Sequence, residues 1–517
     1  MPFTSTTRDV PAARRSGWWR RLILLTLAAL WALIAWWQTN KSLPAGLHLD
    51  SPWVPVSARD VSFIADITAA DAYGRAVLSH AIFDEELAAV RAAERFIVLD
   101  YHLFNSAPPA AAATATTRPI AAELREALLE QQHRRTQLQI LLLVDPVNLG
   151  YSSVLPRELE PLRAAGMSII PVNLDRLRDS NFIYSGLWRL TVGWWQRPAA
   201  PAAPGPIDAA GRAQAPQAGS PGGWLRRLNF KSDQRRVLIA DDGHDGLLAI
   251  VGSADPHDAS SANSNTALKI RGNAILPLLQ SELAIARFSS SDRQLPARLA
   301  AISSASRAAG AAGDAAIDGA RCRILTEGGI RAELLERLGA AKQGDSIDIA
   351  MLHIADRGVI EALLAAARRH VNVRLILDPN REAYGQATSG IPNQPAASEL
   401  VAASDGAIHV RWYRTHGEQF HARLVMIYGA QGLWITAGSA TLTRRSLADY
   451  DLEANIALEL ELRSAPAQQL LSYFDTLWSN RAGVGIEYST DFGYFADPSQ
   501  LHYWLYRVME GTGMSAF

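Results

Sequence analysis

Short apolar runs alternate with segments of helical periodicity along most of this chain. In the first half, apolar and β-branched runs at residues 61–67, 95–104 and 138–144 predict strands. Residues 81–93 and 120–135 repeat their apolar positions at helical spacing and predict helices between those strands. Strands that alternate with helices in this way are typical of a layered α/β domain.

The second half repeats the same order of predicted elements. One strand in each half ends in Asp-Pro, at Asp145 and at Asp378, and the helix before it ends in two arginines. The elements predicted for this half are strands at residues 322–326, 346–352 and 373–377 and helices at residues 330–342 and 359–370. The repeat indicates that the chain is internally duplicated.

The N-terminal region joins an arginine-rich tail to an uninterrupted apolar segment. Residues 1–21 contain five arginines and one aspartate, and residues 22–37 are almost wholly apolar. Such a helix extends about 24 Å, and flanking tryptophan pairs would complete a membrane span of about 30 Å. A buried core helix is the alternative, but apolar residues on every face favour lipid. We therefore expect an uncleaved transmembrane anchor at residues 22–40, detached from the globular body, with a cytoplasmic N-terminus and an extracytoplasmic globular domain.

Two stretches of biased composition divide the rest of the chain. Residues 197–223 are rich in Pro, Ala and Gly and predict a flexible loop, and residues 291–320 predict an Ala- and Ser-rich linker between the halves. The expected organisation is a basic tail, the anchor, a first domain, the linker and a second domain. The corresponding ranges are 1–21, 22–40, 50–290, 291–320 and 321–517.

Composition and charge narrow the function classes. The 517 residues are 48% hydrophobic and 20% charged, which is typical of a globular protein, and the net charge of −1 provides no basic field for nucleic acid. Arginine outnumbers lysine by 46 to 4, so an arginine in the place of a lysine partly reflects this bias. The lone Cys322 excludes an internal disulfide and a cysteine-based zinc site.

One candidate site lies within residues 416–455, where an imidazole, a guanidinium and a hydroxyl come together. His421 and Arg423 precede two apolar runs, and the second run ends in Gly438-Ser439. Two apolar runs around a glycine-containing break predict a β-hairpin, which would bring His421 and Ser439 to one patch. The glycine allows a ligand to approach the backbone closely, and the three groups suit a phosphate ester.

A second hairpin of this kind is predicted in the first half, at residues 229–251, and it also ends in Gly-Ser. Its triplet Gln234-x-Arg236 stands in the place of the His-x-Arg triplet of the second half. Further along, residues 263–265 (Asn-Ser-Asn) echo residues 453–455 (Glu-Ala-Asn). Each half of the duplicated chain therefore supplies one motif.

The order of these residues resembles the signature of the phospholipase D superfamily, in which His-x-Lys is followed by Asp and then by Gly-Ser-x-Asn. Residues 444–447 and Glu453 add to the resemblance, and Asp241 keeps the Asp of the signature in the first half. The departures are Arg236 and Arg423 for Lys, Gln234 for His, Tyr428 for Asp, and Asp255 and Thr441 for Asn. The resemblance implies an α/β fold of two similar α/β/α sandwich domains, packed as an internal pseudo-dimer around one site.

The resemblance also implies a phosphohistidine-type mechanism with no metal or other cofactor. His421 would be the nucleophile or the acid, Glu453 would orient it, and Asp241 would anchor Arg236. The residues implied to be catalytic are His421, Arg423, Ser439, Glu453, Gln234, Arg236, Asp241 and Ser253, and those implied to bind substrate are Arg236, Arg423, Thr441, Asp255 and His257. Glutamine neither titrates nor attacks phosphorus, so His257 is the candidate substitute for the lost imidazole.

Two functions follow from these residues. The first is a membrane-anchored phosphodiesterase or phosphatidyltransferase that acts on phospholipids, weakened at least ~100-fold by its degenerate motifs. The second is an inactive pseudoenzyme that binds phospholipid or another phosphodiester. A nuclease of the same superfamily is disfavoured by the near-neutral charge, and no obligate protein partner is implied. An ordinary α/β domain whose His421 faces a polar loop is the remaining alternative.

Overall fold

The computed structural model describes residues 18–71, 73–106, 117–149, 155–156, 158–191, 228–244, 246–310, 319–383, 386–481, 486–515 and 517. The predicted basic tail as far as residue 17, and the whole of the predicted loop at 197–223, lie outside these residues. The described residues form two large sheets with helices packed against both faces of each.

The first half of the chain builds a seven-stranded sheet. The helices of the first half are α1 (Trp18–Asn40), α2 (Ala81–Ala92), α3 (Ile120–Arg134), α4 (Glu160–Ala164), α5 (Phe182–Leu190), α6 (Leu276–Ser289) and α7 (Leu295–Ala309). Not every strand of this half belongs to its large sheet. Its strands are β1 (Val54–Val56), β2 (Val61–Ala65), β3 (Thr68–Ala70), β4 (Ala76–Leu78), β5 (Phe96–Tyr101), β6 (Gln139–Val144), β7 (Ser168–Pro171), β8 (Arg236–Asp241), β9 (Leu247–Gly252) and β10 (Thr266–Arg271). The strand order in this sheet is β2-β10-β9-β8-β5-β6-β7.

The second half builds a nine-stranded sheet. Its helices are α8 (Gly328–Ala340), α9 (Arg357–Arg368), α10 (Asn393–Ala403), α11 (Arg444–Leu447), α12 (Ala465–Ser479) and α13 (Gln500–Thr512). Its strands are β11 (Ala320–Thr326), β12 (Ser346–Met351), β13 (Asn372–Leu377), β14 (Glu382–Ala383), β15 (Gln386–Ala387), β16 (Ile408–Tyr413), β17 (Arg423–Gly429), β18 (Gly432–Gly438), β19 (Ala454–Leu460) and β20 (Ser489–Asp491). The strand order is β1-β11-β19-β18-β17-β12-β13-β16-β20.

The two sheets share one topology. Strands β5, β6 and β7 are parallel neighbours in the first sheet, as are β12, β13 and β16 in the second. On the other side of β5 or β12 lies an antiparallel hairpin, β8–β9 or β17–β18, which is followed by β10 or β19. Each strand of the first sheet therefore has a counterpart in the second, and the predicted fold class of two similar α/β/α sandwich domains is confirmed.

The central strands are buried on both faces, which explains their continuous apolar runs. In β5, Phe96 and Val98 face a core that both halves share, while Ile97 and Leu99 face a core covered by α2 and α3. Side chains of a strand alternate between its two faces, so polar residues have no place where helices cover both. Helices α8, α9 and α10 cover the outer face of the second sheet in the same way.

The halves exchange segments at their boundary. β1 lies within the range predicted for the first domain, yet it pairs with β11 at the edge of the second sheet, with Val54 opposite Cys322. Residues 295–309 lie within the predicted linker, yet they form α7, whose Leu299 and Ile302 are buried in the shared core. These contacts tie the two domains together over more of the chain than their composition suggests.

Helix α1 is long and apolar enough to cross a membrane, and it begins before the predicted anchor. Most of its length is exposed, whereas Ala35 and Thr39 near its C-terminal end are buried. Trp31 Nε1 donates a hydrogen bond to Ile183 O of α5, over 3.0 Å. The expectation of a detached helix is therefore wrong for the C-terminal part of α1, because that part packs against α5 before the chain enters the body.

Candidate active site

The registers of the two sheets determine which motif residues correspond. Arg236 begins β8 and lies opposite the last residue of β5, and Arg423 begins β17 and lies opposite the last residue of β12. Gln234 and His421 each precede their arginine by two residues. Gln234 therefore occupies the position in the first half that His421 occupies in the second, as the motif spacing predicts.

The two motif hairpins meet across the boundary between the halves. The Leu452 amide donates to Ser232 O over 3.0 Å, which joins the segment before β19 to the segment before β8. The Ser264 amide donates to Gln419 O over 3.0 Å, which joins the segment before β10 to the segment before β17. The same contact is thus made twice, once in each direction, and it brings both motifs to one place.

The hydrogen bonds of His421 define the state of its ring. Asn265 Nδ2 donates to Asn263 O over 3.1 Å, so Asn265 Oδ1 is the atom that faces His421 Nδ1, 3.1 Å away. An amide oxygen only accepts, so Nδ1 carries the ring proton and donates it. Arg423 only donates, and one of its terminal nitrogens lies 3.2 Å from His421 Nε2. Nε2 therefore presents a lone pair towards the guanidinium.

Burial and the two motif arginines keep this ring neutral. Burial lowers the pKa of His421 well below its ordinary value, and the positive charges of Arg423 and Arg236 lower it further. A neutral imidazole with its lone pair on Nε2 is the form that attacks phosphorus. The surroundings of His421 therefore favour a neutral ring whose Nε2 lone pair is available.

Gln234 binds its neighbours and leaves no titrating group at its own position. Its Nε2 donates to Ser232 Oγ over 2.9 Å, and its Oε1 accepts from Arg236 over 3.1 Å. Arg236 Nε also donates to Asp255 Oδ2 over 2.7 Å, within a buried ion pair. The guanidinium that would bind phosphate is therefore already partly neutralised in this half.

His102 is a residue of the site that the sequence analysis missed. It follows the last residue of β5, and its Nε2 lies 3.5 Å from Gln234 Nε2. Its Nδ1 donates to Asp233 O over 2.9 Å, and the buried Asp145 carboxylate lies 3.8 Å from the same nitrogen. The His102 imidazole, near a carbonyl and a carboxylate, thus lies beside Gln234, at the position where the first half lacks an imidazole. The available signal was a polar residue at the end of a buried strand, where active-site residues of α/β sheets often lie.

Glu453 does not orient His421, and this prediction is wrong. Its Oε2 accepts from Ser439 Oγ over 2.5 Å, and its buried Oε1 has no hydrogen-bond partner within the described part of the chain. Burial raises the pKa of Glu453 to about 7, although Arg423 and Arg236 act to lower it. Glu453 is thus a buried carboxyl group near both motif arginines, and only one of its two oxygens accepts a hydrogen bond in the described structure.

The counterpart of Glu453 in the first half is Asn265, and not the residue that the sequence echo suggested. The Ser253 amide donates to the residue after Asn265, and the Ser439 amide donates to the residue after Glu453. Ser253 Oγ also lies 3.2 Å from Asn265 Oδ1, as Ser439 Oγ contacts Glu453. The sequence similarity between residues 263–265 and 453–455 aligned Asn265 with Asn455. That alignment differs by two residues from the correspondence in the structure.

Asp241 lies at the far end of β8 from Arg236, so the prediction that it anchors this arginine is wrong. Five residues of strand separate the two by about 16 Å. Asp241 Oδ1 accepts from the amides of Arg95 and Phe96, which attaches the end of β8 to the start of β5. Tyr428 has the same position in β17 and contacts Asp348 Oδ2 over 3.0 Å. These positions stabilise the fold and do not reach the site.

Two further predicted residues, Thr441 and His257, are buried and make local hydrogen bonds. Thr441 Oγ1 contacts the hydroxyl of Ser446 over 2.9 Å, within a buried cluster. His257 Nδ1 lies 2.7 Å from Ser260 Oγ, and burial lowers the pKa of His257 below its ordinary value. Burial, Arg423 and Arg445 lower the pKa of His353 to about 3, so this second ring near His421 is also neutral.

A buried ion-pair network underlies the site and joins the two halves. Arg235, the middle residue of the first triplet, donates to Glu282 over 2.9 Å and to Glu327 over 2.7 Å. Glu327 Oε1 also accepts the Glu453 amide over 3.2 Å. Since side chains of a strand alternate, Arg235 points into the core while its neighbours face the site. In the described ranges, no group of three or more His, Cys, Asp or Glu residues is placed to hold a metal.

Comparisons with known proteins agree with this geometry. Residues 334–478 match the family described as "Cardiolipin synthase, PLD-like domain", and a search of curated proteins found no match. Phosphatidylserine synthase from Haemophilus influenzae Rd KW20 aligns over 93% of this chain and 97% of its own, with 11% identity and a TM-score of 0.52, which shows a common fold. Two further solved structures are only distantly similar, with TM-scores below 0.5. Polyphosphate kinase from Porphyromonas gingivalis (12% identity, 88% of this chain, 54% of its own) has a TM-score of 0.43, and the phospholipase D family member Nuc from Salmonella typhimurium (20% identity, 33% of this chain, 97% of its own) has a TM-score of 0.24.

Proposed function

We propose that this chain, which belongs to the phospholipase D superfamily, is a membrane-anchored phosphotransferase that acts on phospholipids through His421. The observation that carries the proposal is the environment of this ring. Asn265 holds Nδ1, and the lone pair of Nε2 points at the Arg423 guanidinium. A phosphodiester that enters between Nε2 and Arg423 would meet a nucleophile and a cation at once.

The reaction has two displacements. In the first, His421 Nε2 attacks phosphorus, a P–N bond forms, and the P–O bond to the leaving alcohol breaks. Arg423 and Arg236 bind the nonbridging oxygens, on which negative charge accumulates. In the second, the oxygen of water or of an alcohol attacks phosphorus and the P–N bond breaks, which restores neutral His421. Water completes a hydrolysis, and an alcohol accepts the phosphatidyl group.

Both displacements need a group that exchanges one proton with the entering or leaving oxygen. Gln234 occupies the corresponding position but does not titrate near neutral pH. We assign this role to His102, whose Nε2 lies 3.5 Å from Gln234 Nε2 and whose Nδ1 is held by Asp233 O. Protonated His102 gives its proton to the leaving alkoxide in the first step and recovers one from water or alcohol in the second. The Asp145 carboxylate, 3.8 Å from Nδ1, stabilises the imidazolium between these events.

Turnover should be slow compared with a relative that has both motif histidines. Asp255 neutralises Arg236, and the proton carrier is displaced to the far side of Gln234. General acid–base help typically contributes 10²–10⁴-fold to rate, so its misplacement accounts for a deficit of at least ~100-fold.

Phospholipid is the substrate class that the surroundings of the site favour. The matched family and the phosphatidylserine synthase that shares the fold are both named for phospholipid synthesis. Helix α1 is apolar enough to cross the bilayer and would hold the site beside its substrate. The arginines of residues 1–21 favour a cytoplasmic N-terminus and globular domains on the opposite side.

The test is turnover of labelled phosphatidylcholine, phosphatidylglycerol and cardiolipin by the full chain in vesicles. His421→Ala should abolish release and transfer of the label, because the variant loses the lone pair that lies beside the Arg423 guanidinium. His244→Ala is the matched control, since His244 lies exposed at the far turn of the first motif hairpin. Wild-type turnover that survives His421→Ala would refute the assignment.

A second function, phospholipid binding without turnover, is favoured by Gln234 together with the two retained arginines. In that case wild type and His421→Ala bind the labelled lipids equally and release nothing, whereas Arg423→Ala loses binding. The turnover and binding measurements on these three proteins separate the two functions.

A further inference from the structure

Exposed large apolar side chains outside α1 concentrate on two helices of the described body. Eight of eleven such residues lie on α5 or on α13 and the turn that follows it. They are Phe182, Ile183 and Leu187 on α5, and Leu501, Trp504, Leu505, Val508 and Met514 on or just after α13. Scattered apolar residues on a surface need no explanation, but a set confined to two helices does.

The exposed residues of α13 form one stripe. Leu501, Trp504, Leu505 and Val508 follow the spacing i, i+3, i+4 and i+7, which places them on one face of the helix. Leu501 is 74% exposed and Trp504 is 60% exposed, whereas Tyr506 on the opposite face is buried. An amphipathic helix normally turns its apolar face inwards, so α13 presents to solvent the face that a partner should cover.

The apolar face of α5 is continuous with the candidate membrane span. The Trp31 ring packs so closely on α5 that a Cβ at Gly186 would lie 2.6 Å from it. In the last turn of α1, the Asp179 amide donates to Gln38 O over 3.1 Å. Helix α5 therefore begins close to the point where α1 enters the body, and the exposed Trp36 lies two residues before Gln38.

Helix α13 ends at the same place. Gly513 has a φ of 71°, and a Cβ there would lie 1.9 Å from Ser180 O, just before α5. Arg444 links the two elements, since it donates to Ser180 O over 3.3 Å and its amide donates to Glu510 of α13. The C-terminal end of α1, the start of α5 and the end of α13 thus converge on one corner of the protein.

We propose that α5 and α13 lie in the headgroup–acyl boundary of the bilayer that α1 crosses, and that they form a membrane-docking face. This inference rests on the membrane anchoring in the proposed function. A bilayer is favoured over a protein partner because the face is continuous with α1, so lipid reaches it without any further association. The Trp504 and Trp36 rings suit the membrane–water interface, where aromatic side chains are enriched.

The docking face also explains how the site would meet its substrate. Two residues after α13 lie close to the surroundings of the site, since Ser515 O lies 3.5 Å from Arg445 and the Phe517 ring lies 6.2 Å from the His353 ring. Docking of α13 would therefore hold the surroundings of His421 at the level of the lipid phosphates. The substrate would be a phospholipid of the same leaflet and not a soluble phosphodiester.

Spin labelling of the full chain in phosphatidylcholine–phosphatidylglycerol vesicles tests the docking face. The only native cysteine, Cys322, is buried, and burial raises its thiol pKa to about 12, so an introduced cysteine is labelled selectively. Labels at Leu505→Cys and Leu187→Cys report the face, Leu27→Cys reports the lipid phase, and Glu336→Cys on the exposed side of α8 reports water. Relaxation by oxygen and by a water-soluble nickel chelate measures depth at each position.

The expected result is that Leu505→Cys and Leu187→Cys lie between the two references, with more oxygen and less nickel accessibility than Glu336→Cys and less extreme values than Leu27→Cys. Nickel accessibility equal to that of Glu336→Cys would overturn the proposal. Burial from both reagents combined with spin–spin broadening would identify a second copy of the chain and also overturn it. Burial from both reagents without broadening would point to a protein partner, with the same consequence.

A kinetic arm separates failure of the docking face from failure of the proposed function. Trp504→Glu combined with Leu505→Glu should lower turnover of vesicle lipid at least ~10-fold, because the apolar burial that holds α13 at the surface is lost. Turnover of a short-chain, water-soluble phosphodiester should not change. Equal turnover of vesicle lipid by variant and wild type would contradict docking. Absence of wild-type turnover on both substrates would contradict the proposed function while the depth measurement still decides the docking.

Discussion

Asn265 in the first half of the chain accepts a hydrogen bond from His421 in the second half, with Nδ1 and Oδ1 3.1 Å apart. The counterpart of Asn265 is Glu453, and the counterpart of His421 is Gln234. The imidazole of this site is thus paired with an amide, whereas the two corresponding positions hold a glutamine and a carboxyl group. The two sheets share one topology, but the side chains that they contribute to the site differ. Each of the following predictions tests one consequence of that difference.

The first prediction concerns the pH dependence of turnover. Burial and two arginines lower the pKa of His421, so the nucleophile stays neutral as pH falls, and the acid limb should lie below the ordinary imidazole value of about 6.5. Asn265→Asp places a carboxylate at Nδ1, which raises the pKa of His421 by about 1 unit or more. A raised pKa means more protonated ring at a given pH, so the acid limb should move to higher pH. Profiles of kcat/KM from pH 4.5 to 9 measure this shift.

The matched control for Asn265→Asp is Asn372→Asp, at the exposed start of β13. It adds the same charge at the end of the sheet opposite to His421 and should leave the acid limb in place. If both variants shift the limb equally, net charge is the cause and the hydrogen bond to His421 is not.

The second prediction is a gain of activity. Gln234→His places an imidazole at the counterpart of His421, and Glu453, whose Oε1 is buried without a partner in the described structure, is the counterpart of the Asn265 that contacts His421. Asp255→Asn removes the carboxylate that neutralises Arg236. The double variant should turn over phosphatidylcholine at least ~10-fold faster than wild type, because a proton carrier and a free phosphate-binding cation return together. Initial rates on labelled vesicles measure the gain. A rate at or below that of wild type would contradict the claim that Gln234 and Asp255 limit turnover.

The third prediction concerns His102. His102→Gln keeps a polar side chain of similar size but removes the titrating ring, so kcat should fall ~100-fold with little change in KM. The basic limb of the pH profile should disappear as well, which loss of packing alone would not cause. His244→Gln, on the exposed hairpin turn, is the control. An unchanged basic limb in His102→Gln would remove this residue from the proton-transfer step.

The fourth prediction links Glu453 to stability. The pKa of Glu453 is about 7 in the folded chain against 4.5 for an ordinary glutamate, so between these values the folded state keeps a proton that the unfolded state releases. The free energy of unfolding contributed by this group therefore falls as pH rises from 4.5 to 7. Glu453→Gln removes that dependence, and the stability of the variant relative to wild type should rise by up to about 3 kcal/mol over this range. Urea unfolding in detergent at several pH values measures it.

Glu336→Gln, on the exposed surface of α8, serves as the reference for this comparison. Its stability relative to wild type should be the same at every pH. A constant difference for Glu453→Gln as well would mean that Glu453 is ionised in the folded protein throughout the range.

Local patterns carried most of what could be predicted. Hairpins are specified by neighbouring apolar runs and the break between them, so the spacing placed Gln234 opposite the position of His421 and put Arg236 and Arg423 at strand starts. The same physics located the strands that end at Asp145 and Asp378, because a strand buried on both faces must be apolar without interruption. Duplication of the whole topology followed from the repeat of these local signals.

The tertiary structure alone decided the contacts between the halves. His421 bonds to Asn265, 156 residues away, and His102 reaches Gln234 across 132 residues, and no local pattern encodes either distance. Asp241 keeps the motif spacing but lies a full strand away from Arg236, because spacing along an extended chain becomes separation in space. Helix α1 shows the same limit, since its composition determined that it suits a bilayer, while packing against α5 decided where it meets the body. Sequence specifies what each segment becomes, and only the docking of the two sheets determines which side chains from distant segments share one site.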